Sequence, residues 1–261
     1  MLQQTIGKPL FPNVLWSQPE HRSSAGKLAI VGGNSGGFNS VSETYAAAKV
    51  SGAGTIRVLL PSVLKKTLDK IWPDCEFAPS TKSGSFAAGA LSEWMEFSLW
   101  SDSVIISGDL GKNSETAIIL ERFLNEYQGP VTLAKDSLAS AINVPSQILE
   151  HHDLTLVLDR SVLGRLLKEI RYPMAMSSSQ NIYQFADLLH SLSQSYPWAI
   201  VTEYEQLIFV AYEGDVSSTP KANHSLIAAG TAGVVWRMQQ PGKPFAALTS
   251  GIYALFSPDA L

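Results

Sequence analysis

At 261 residues, with 45% apolar and 16% charged residues, the chain has the composition of a folded globular protein and lies far from disorder. Its net charge of −4 carries none of the electrostatic footprint of nucleic-acid or anionic-membrane binding. A single cysteine, Cys75, rules out an internal disulfide, fits a reducing compartment and reads as a buried small hydrophobe. Met1 to Leu10 lacks the charged start and apolar core of a signal peptide, and no apolar run reaches spanning length. The sequence is therefore read as that of a cytoplasmic protein.

Residues 1–25 read as an irregular lead-in, with Trp16 tucked against the body. Leu28–Val31 is the first expected strand, and it enters four glycines, Gly32, Gly33, Gly36 and Gly37. A helix from Val41 to Gly52 follows, with Ser40 as its cap and Glu43 as an acid in its first turn. Thr55–Leu60 is a second strand, stopped by Pro61, which completes a βαβ unit. Ser62–Lys70 reads as a helix, and the passage through Pro73 and Pro79 to Gly84 as loop. Phe86–Trp100 has helical spacing.

Val104–Ile106 is the next strand and runs into a second glycine turn, Ser107 to Gly111. The helix opened by Asn113 to Thr116 ends near Gly129-Pro130, and Val131–Ala134 is strand again. Leu154–Leu158, a helix over Val162–Ile170, a helix over Asn181–Ser195 and a strand at Trp198–Val201 continue the alternation. Gln206–Tyr212 alternates as a β-ribbon that turns at Glu213-Gly214-Asp215. Leu226–Gln240 and Phe245–Phe256 close the chain as helices, separated by a break at Gln240 to Pro244. Alternating strands and helices predict one α/β domain over residues 1–261, with a mainly parallel sheet covered on both faces.

Ligands of such sheets gather at the carboxyl ends of the strands, where both glycine turns fall. The first turn matches neither the dinucleotide nor the P-loop fingerprint, so a plain strand-to-helix turn and an anion site both remain open. A third backbone-rich stretch is Ala228 to Gly233. It is expected to sit immediately before the helix carrying Val234, Val235 and Met238, where unpaired N–H groups would favour a phosphate. Gly230, Thr231, Ala232 and Gly233 are thus the candidate phosphate-binding residues. Among five histidines, His151 and His152 read as surface residues and His190 as structural. His224, with Asn223 beside it, is retained as a ligand contact. No metal site is evident. Asp109, Asp136 and Asp159 follow strands and are placed to face a cleft, or to cap turns.

The order of these turns resembles the ADP/ATP-dependent NAD(P)H-hydrate dehydratases, a family with a ribokinase-like fold. The resemblance runs from about Gly26 to about Phe256. Gly26 to Asn34 is similar to the family's opening strand, and Ala46 to Gly54 to its alanine-rich helix. Val104 to Gly111 with Ser114 to Ala117 resembles its Gly-Pro-Gly-Leu-Gly turn and helix. Pro130 to Leu138 resembles the strand leading to Asp-Ala-Asp-Ala-Leu, with Asp136 and Leu138 kept and Ala134 in place of the first aspartate. Gly230 to Val235 falls where the family has Gly-Thr/Ser-Gly-Asp-Val-Leu.

The resemblance implies ATP or ADP and an NAD(P)H-type ligand. Phosphates would lie at Gly230 to Gly233, and Gly32, Gly33, Asn34, Gly108, Gly111, Asn223 and His224 would line the substrate side. Nicotinamide nucleotide repair by a carbon–oxygen lyase would be the activity. The family's acid/base aspartate falls on Gly233, which has no side chain to transfer a proton. The family's Thr-Pro-His-Pro-Gly-Glu stretch falls on Leu158 to Gly164, without its histidine, prolines or glutamate. Its Lys-Gly pair falls on Thr202-Glu203, exchanging a cation for an anion. Two outcomes stand: an enzyme whose acid/base group comes from elsewhere, with Asp109 and Asp136 first in line, or a non-catalytic nucleotide-binding or partner-binding relative. A small nucleotide is the expected partner, not nucleic acid or membrane, and the small-residue helices would allow a homo-oligomer.

Overall fold

The computed structural model describes residues 1–177, 179–221 and 223–256. Its strands are β1 (Leu2–Gln3), β2 (Lys27–Gly32), β3 (Thr55–Pro61), β4 (Cys75–Ala78), β5 (Ser103–Gly108), β6 (Val131–Ala134), β7 (Leu154–Leu158), β8 (Ala199–Tyr204), β9 (Leu207–Tyr212) and β10 (Asp215–Pro220). They form one sheet in the order β1-β10-β9-β8-β7-β6-β5-β2-β3-β4. β9 runs antiparallel to both of its neighbours, and every other pairing is parallel. The expected α/β architecture and β-ribbon are both present.

Helices cover the two faces. One layer holds α1 (Pro12–Leu15), α2 (Asn39–Val50), α3 (Lys65–Leu68), α10 (Leu226–Gln239) and α11 (Pro244–Phe256). The other holds α4 (Leu91–Trp100), α5 (Ser114–Glu126), α6 (Lys135–Ala141), α7 (Pro145–Glu150), α8 (Arg160–Glu169) and α9 (Ile182–Ser195). Strand alternation sorts the residues: Ala29, Val31, Val104 and Ile106 pack under the second layer, Leu28, Ile30 and Ile105 under the first. Under the second layer the edge-to-face rings of Phe86, Trp94 and Phe123 anchor α4 and α5. Each fully buried ring contributes about 1.5–3 kcal/mol through burial.

Several expectations change. Residues 1–25 are not wholly irregular: β1 extends the sheet beside β10, held by Gln4, whose amide donates to Thr219 Oγ1 at 2.6 Å and the Thr249 carbonyl at 3.0 Å. Trp16 is 85% exposed, not tucked in. The loop-rich passage contains β4, a half-buried edge strand too short to show a period. Ser62–Lys70 contracts to a short turn and the four-residue α3. His151 is buried at 1% exposure: one ring nitrogen meets the Tyr127 carbonyl at 2.9 Å, and the other accepts from the Asp153 N–H at 3.2 Å. Adjacent histidines that share no helix face, with no Cys or acid at ligand spacing, predict surface positions for both. Here they lie in the loop before β7, where His152 alone faces water.

Candidate functional site

The glycine turns after β2 and β5 form one wall. Gly33 has φ +82° and donates its N–H to the Gly108 carbonyl at 3.0 Å, and Gly108 itself has φ +104°. A Cβ at Gly32 would stand 2.5 Å from that same carbonyl, so only glycine lets the two turns meet. Asn34 locks them together: its Nδ2 donates to the Asp109 carbonyl at 2.6 Å, and its Oδ1 accepts from the Gly36 N–H at 2.6 Å. Gly111 sits against the Asn34 amide, completing the wall. Gly32, Gly33, Asn34, Gly108 and Gly111 therefore do converge.

Asp109 and Asp136 are engaged in holding this wall. Asp109, at φ +55°, accepts the Ser40 N–H at 2.6 Å, so the α2 N-terminus is capped from across the cleft and not by Ser40. Asp136 Oδ2 accepts from the N–H groups of Leu110 at 2.9 Å and Gly111 at 3.3 Å. Its Oδ1 is buried without a partner among the described residues, and burial raises the carboxyl pKa above its ordinary value.

The stretch expected from the sequence to bind phosphate does not open a helix. α10 starts at Leu226, with Ser225 as its cap accepting from the Ala228 N–H at 3.2 Å. Gly230, Thr231, Ala232 and Gly233 lie deep in this helix and are buried. Their N–H groups fall beyond the first turn, where the helix ladder uses them. A Cβ at Gly230 would come within 2.6 Å of Val157, and one at Gly233 within 3.0 Å of the Leu248 carbonyl. These small residues seat α10 against β7 and α11. The signal for the true helix start was Ser225 followed by Leu226-Ile227, a capping residue before an apolar run.

At that true N-terminus lies a cleft of about 290 Å³, lined by Lys135, Asp159, Glu203, Lys221, Ser225, Leu226 and Ile227 over an apolar floor of Ala134, Val157, Leu158 and Val162. No hydrogen bond is described for the N–H groups of Leu226 and Ile227 among the described residues. They sit where the helix dipole favours an anion. Two lysines flank them. Lys135, the first residue of α6 directly after β6, has a left-handed conformation at φ +53°, donates to Ser40 Oγ at 2.8 Å and lies 3.9 Å from the Glu43 carboxylate. Lys221, directly after β10, pairs with Glu203 of β8 at the rim of the cleft. Glu43 accepts the Ser225 hydroxyl, which places a carboxylate at the helix N-terminus that the sequence pattern did not single out. Asp159 caps α8 by accepting from the Val162 N–H at 2.9 Å.

Asn223 and His224 are exposed beside this cleft, in a neighbouring depression with Glu43 and Ala47, and the His224 ring lies 5.6 Å from that of Phe256. Among the described residues no group of three His, Cys, Asp or Glu side chains is placed to hold a metal, and no helix is long and apolar enough to cross a membrane. Cys75 is half-buried, and burial pushes its thiol pKa up to about 12, far from a nucleophile's range.

A single sheet of this order, with polar strand ends facing the N-terminus of a late helix, defines a ribokinase-like fold. No protein-family model and no curated protein matches the chain. Solved structures do. A ribokinase-like superfamily protein from Enterococcus faecalis superposes with a TM-score of 0.73 at 13% identity, covering 98% of this chain and 88% of its own. The ADP/ATP-dependent NAD(P)H-hydrate dehydratase of Bacillus subtilis, co-crystallised with ATP and Mg2+, gives 0.61 at 12% identity, with coverages of 94% and 86%. A hydroxyethylthiazole kinase protein from Pyrococcus horikoshii gives 0.57 at 10%, with coverages of 92% and 81%.

Proposed function

We propose that this protein binds the phosphates of a nucleotide in the cleft at the N-terminus of α10, as a divergent relative of the NAD(P)H-hydrate dehydratases. The observation that supports this reading is the meeting of free first-turn N–H groups with Lys135 and Lys221 in one cleft. ATP or ADP is the ligand class, with an NAD(P)H-type molecule along the wall built by Gly32 to Asn34 and Gly108 to Gly111. In this reading Glu43, hydrogen-bonded to Ser225 at the helix N-terminus, is the carboxylate available for proton transfer. Asp109 and Asp136 position backbone.

Titration calorimetry with ATP and ADP tests the binding reading. Saturable binding that weakens in Lys221→Met supports it, and no heat and no thermal shift with either nucleotide removes it. Turnover of hydrated NADH with ATP or ADP tests the dehydratase reading, and Glu43→Gln should abolish any turnover while leaving nucleotide binding intact. A second reading follows from the ion pairs that occupy both lysines and from Ser225 at the cap: a non-catalytic nucleotide-binding relative. Binding without turnover favours it.

A further inference from the structure

A second cavity, of about 450 Å³, lies at the opposite, amino ends of β5, β6 and β7. It is reached by the C-terminus of α10, a 14-residue helix about 21 Å long whose other end forms the phosphate cleft. Its volume falls in the range of small-molecule sites. Its ceiling is unusual for a sheet face. Thr132 and Thr155 are register partners on neighbouring strands, and Ser103 precedes them at the start of β5. By strand alternation they share the face of Ala134, Val157 and Ile105, which is otherwise apolar.

Thr132 and Ser103 are 2% and 4% exposed, yet neither hydroxyl makes a hydrogen bond described among these residues, and both line the cavity. Hydroxyls that have no protein partner and open onto a cavity are available to a ligand that bonds to them. The chemistry of the wall selects its kind. Asp102 accepts the Lys27 N–H at 2.8 Å with one oxygen and leaves the other to the cavity, Asp153 is ion-paired with Arg237, and Pro130, Pro241 and Pro244 contribute no backbone donor. The Arg237 guanidinium is already committed, donating to Asp153 at 2.6 Å and Thr155 at 2.7 Å while it stacks over Tyr212. The C-terminal end of α10 adds negative dipole charge.

We propose that this cavity binds a small aliphatic ammonium compound. Its charged nitrogen donates to the carboxylate oxygen that Asp102 leaves free and to the Thr132 hydroxyl, and its carbon chain lies on Val234 and Met238. The probe is cadaverine, with pentanediol and glutarate as neutral and anionic controls of similar length. Calorimetry on the full chain should show cadaverine binding at least about tenfold tighter than either control, since a charged donor–carboxylate bond is lost in both. Asp102→Asn and Thr132→Val should each weaken it about fivefold or more. In the unmodified protein, cadaverine should shift the methyl NMR resonances of Thr132 and Met238, and saturating ATP should leave its affinity unchanged. Binding no better than that of pentanediol, tighter binding of glutarate, wild-type affinity in both variants or unmoved methyl resonances would each overturn the proposal.

Discussion

Replacing Gly233 by aspartate separates two accounts of this site. If the Gly230 to Gly233 stretch were the helix N-terminus, an aspartate at 233 would restore an acid at the phosphate end. In the structure Gly233 is buried within α10, and its added Cβ would lie 3.0 Å from the Leu248 carbonyl and 3.2 Å from Leu248 Cδ2. The carboxyl would then face an acceptor and an isobutyl group, with no donor among these neighbours to stabilise its charge. Keeping it protonated is the less costly alternative. Against an ordinary pKa of about 3.9, at about 1.36 kcal/mol per unit, that costs about 4 kcal/mol at neutral pH and about 1.5 kcal/mol near pH 5. The larger figure approaches the whole stability of many domains, about 5–15 kcal/mol.

Ser225→Thr provides the contrast. Threonine caps a helix nearly as well as serine and keeps the hydroxyl that Glu43 accepts, so its stability should stay within about 1 kcal/mol of the parent. Urea denaturation followed by fluorescence of the buried Trp94, Trp198 and Trp236 measures both variants at the two pH values. Gly233→Asp with a parental midpoint at neutral pH, or a loss that does not shrink on acidification, would refute the placement of α10.

Three further outcomes are expected. Burial raises the Asp136 pKa, so the folded chain binds more protons than the unfolded chain just above the ordinary value of 3.8. Stability conferred by Asp136 therefore falls as pH rises through that window, and the stability difference between the parent and Asp136→Asn should fall with it; a constant difference contradicts the assignment. Burial lowers the His151 pKa from 6.5, so its contribution is full above that pH and is lost below it as the unfolded chain takes the proton. The acid-side slope should flatten in His151→Gln, as pH-dependent urea midpoints would reveal. Lys221→Met should weaken ATP about tenfold, the effect of one charge-assisted bond, while a matched change at the exposed Lys168, in the last turn of α8, leaves affinity unaltered in the same calorimetry.

Much of the architecture was legible because local and global signals agree in an α/β sheet. Each central strand is a short apolar run between turns, and burial on both faces makes such runs conspicuous in β2, β5 and β7. Edge elements were lost for the opposite reason. β1 has two residues and β4 four, too few for a period, and they are held by one neighbour each. The candidate site divides along the same line. Gly32 and Gly108 could be picked out because a close backbone approach leaves glycine as its trace. Lys221 and Glu43 could not, since a charge at the end of β10 or on α2 acquires meaning only from what faces it.

The small residues from Ala228 to Gly233 mark the remaining boundary. Their sequence pattern announces a close approach, and the approach is real. Whether a phosphate or another part of the protein makes that approach depends on where Ser225 caps the helix and on the positions of Val157 and Leu248. By itself the sequence determined the order of the central strands and of their longer helices, the two glycine turns and the lack of charge for nucleic acid, all set by residues close together in the chain. Only the tertiary structure decided which amides stay free, which lysine faces which carboxylate, and that Thr132 and Ser103 open onto a cavity. Those properties belong to pairs of groups far apart in the chain, and packing alone brings them together.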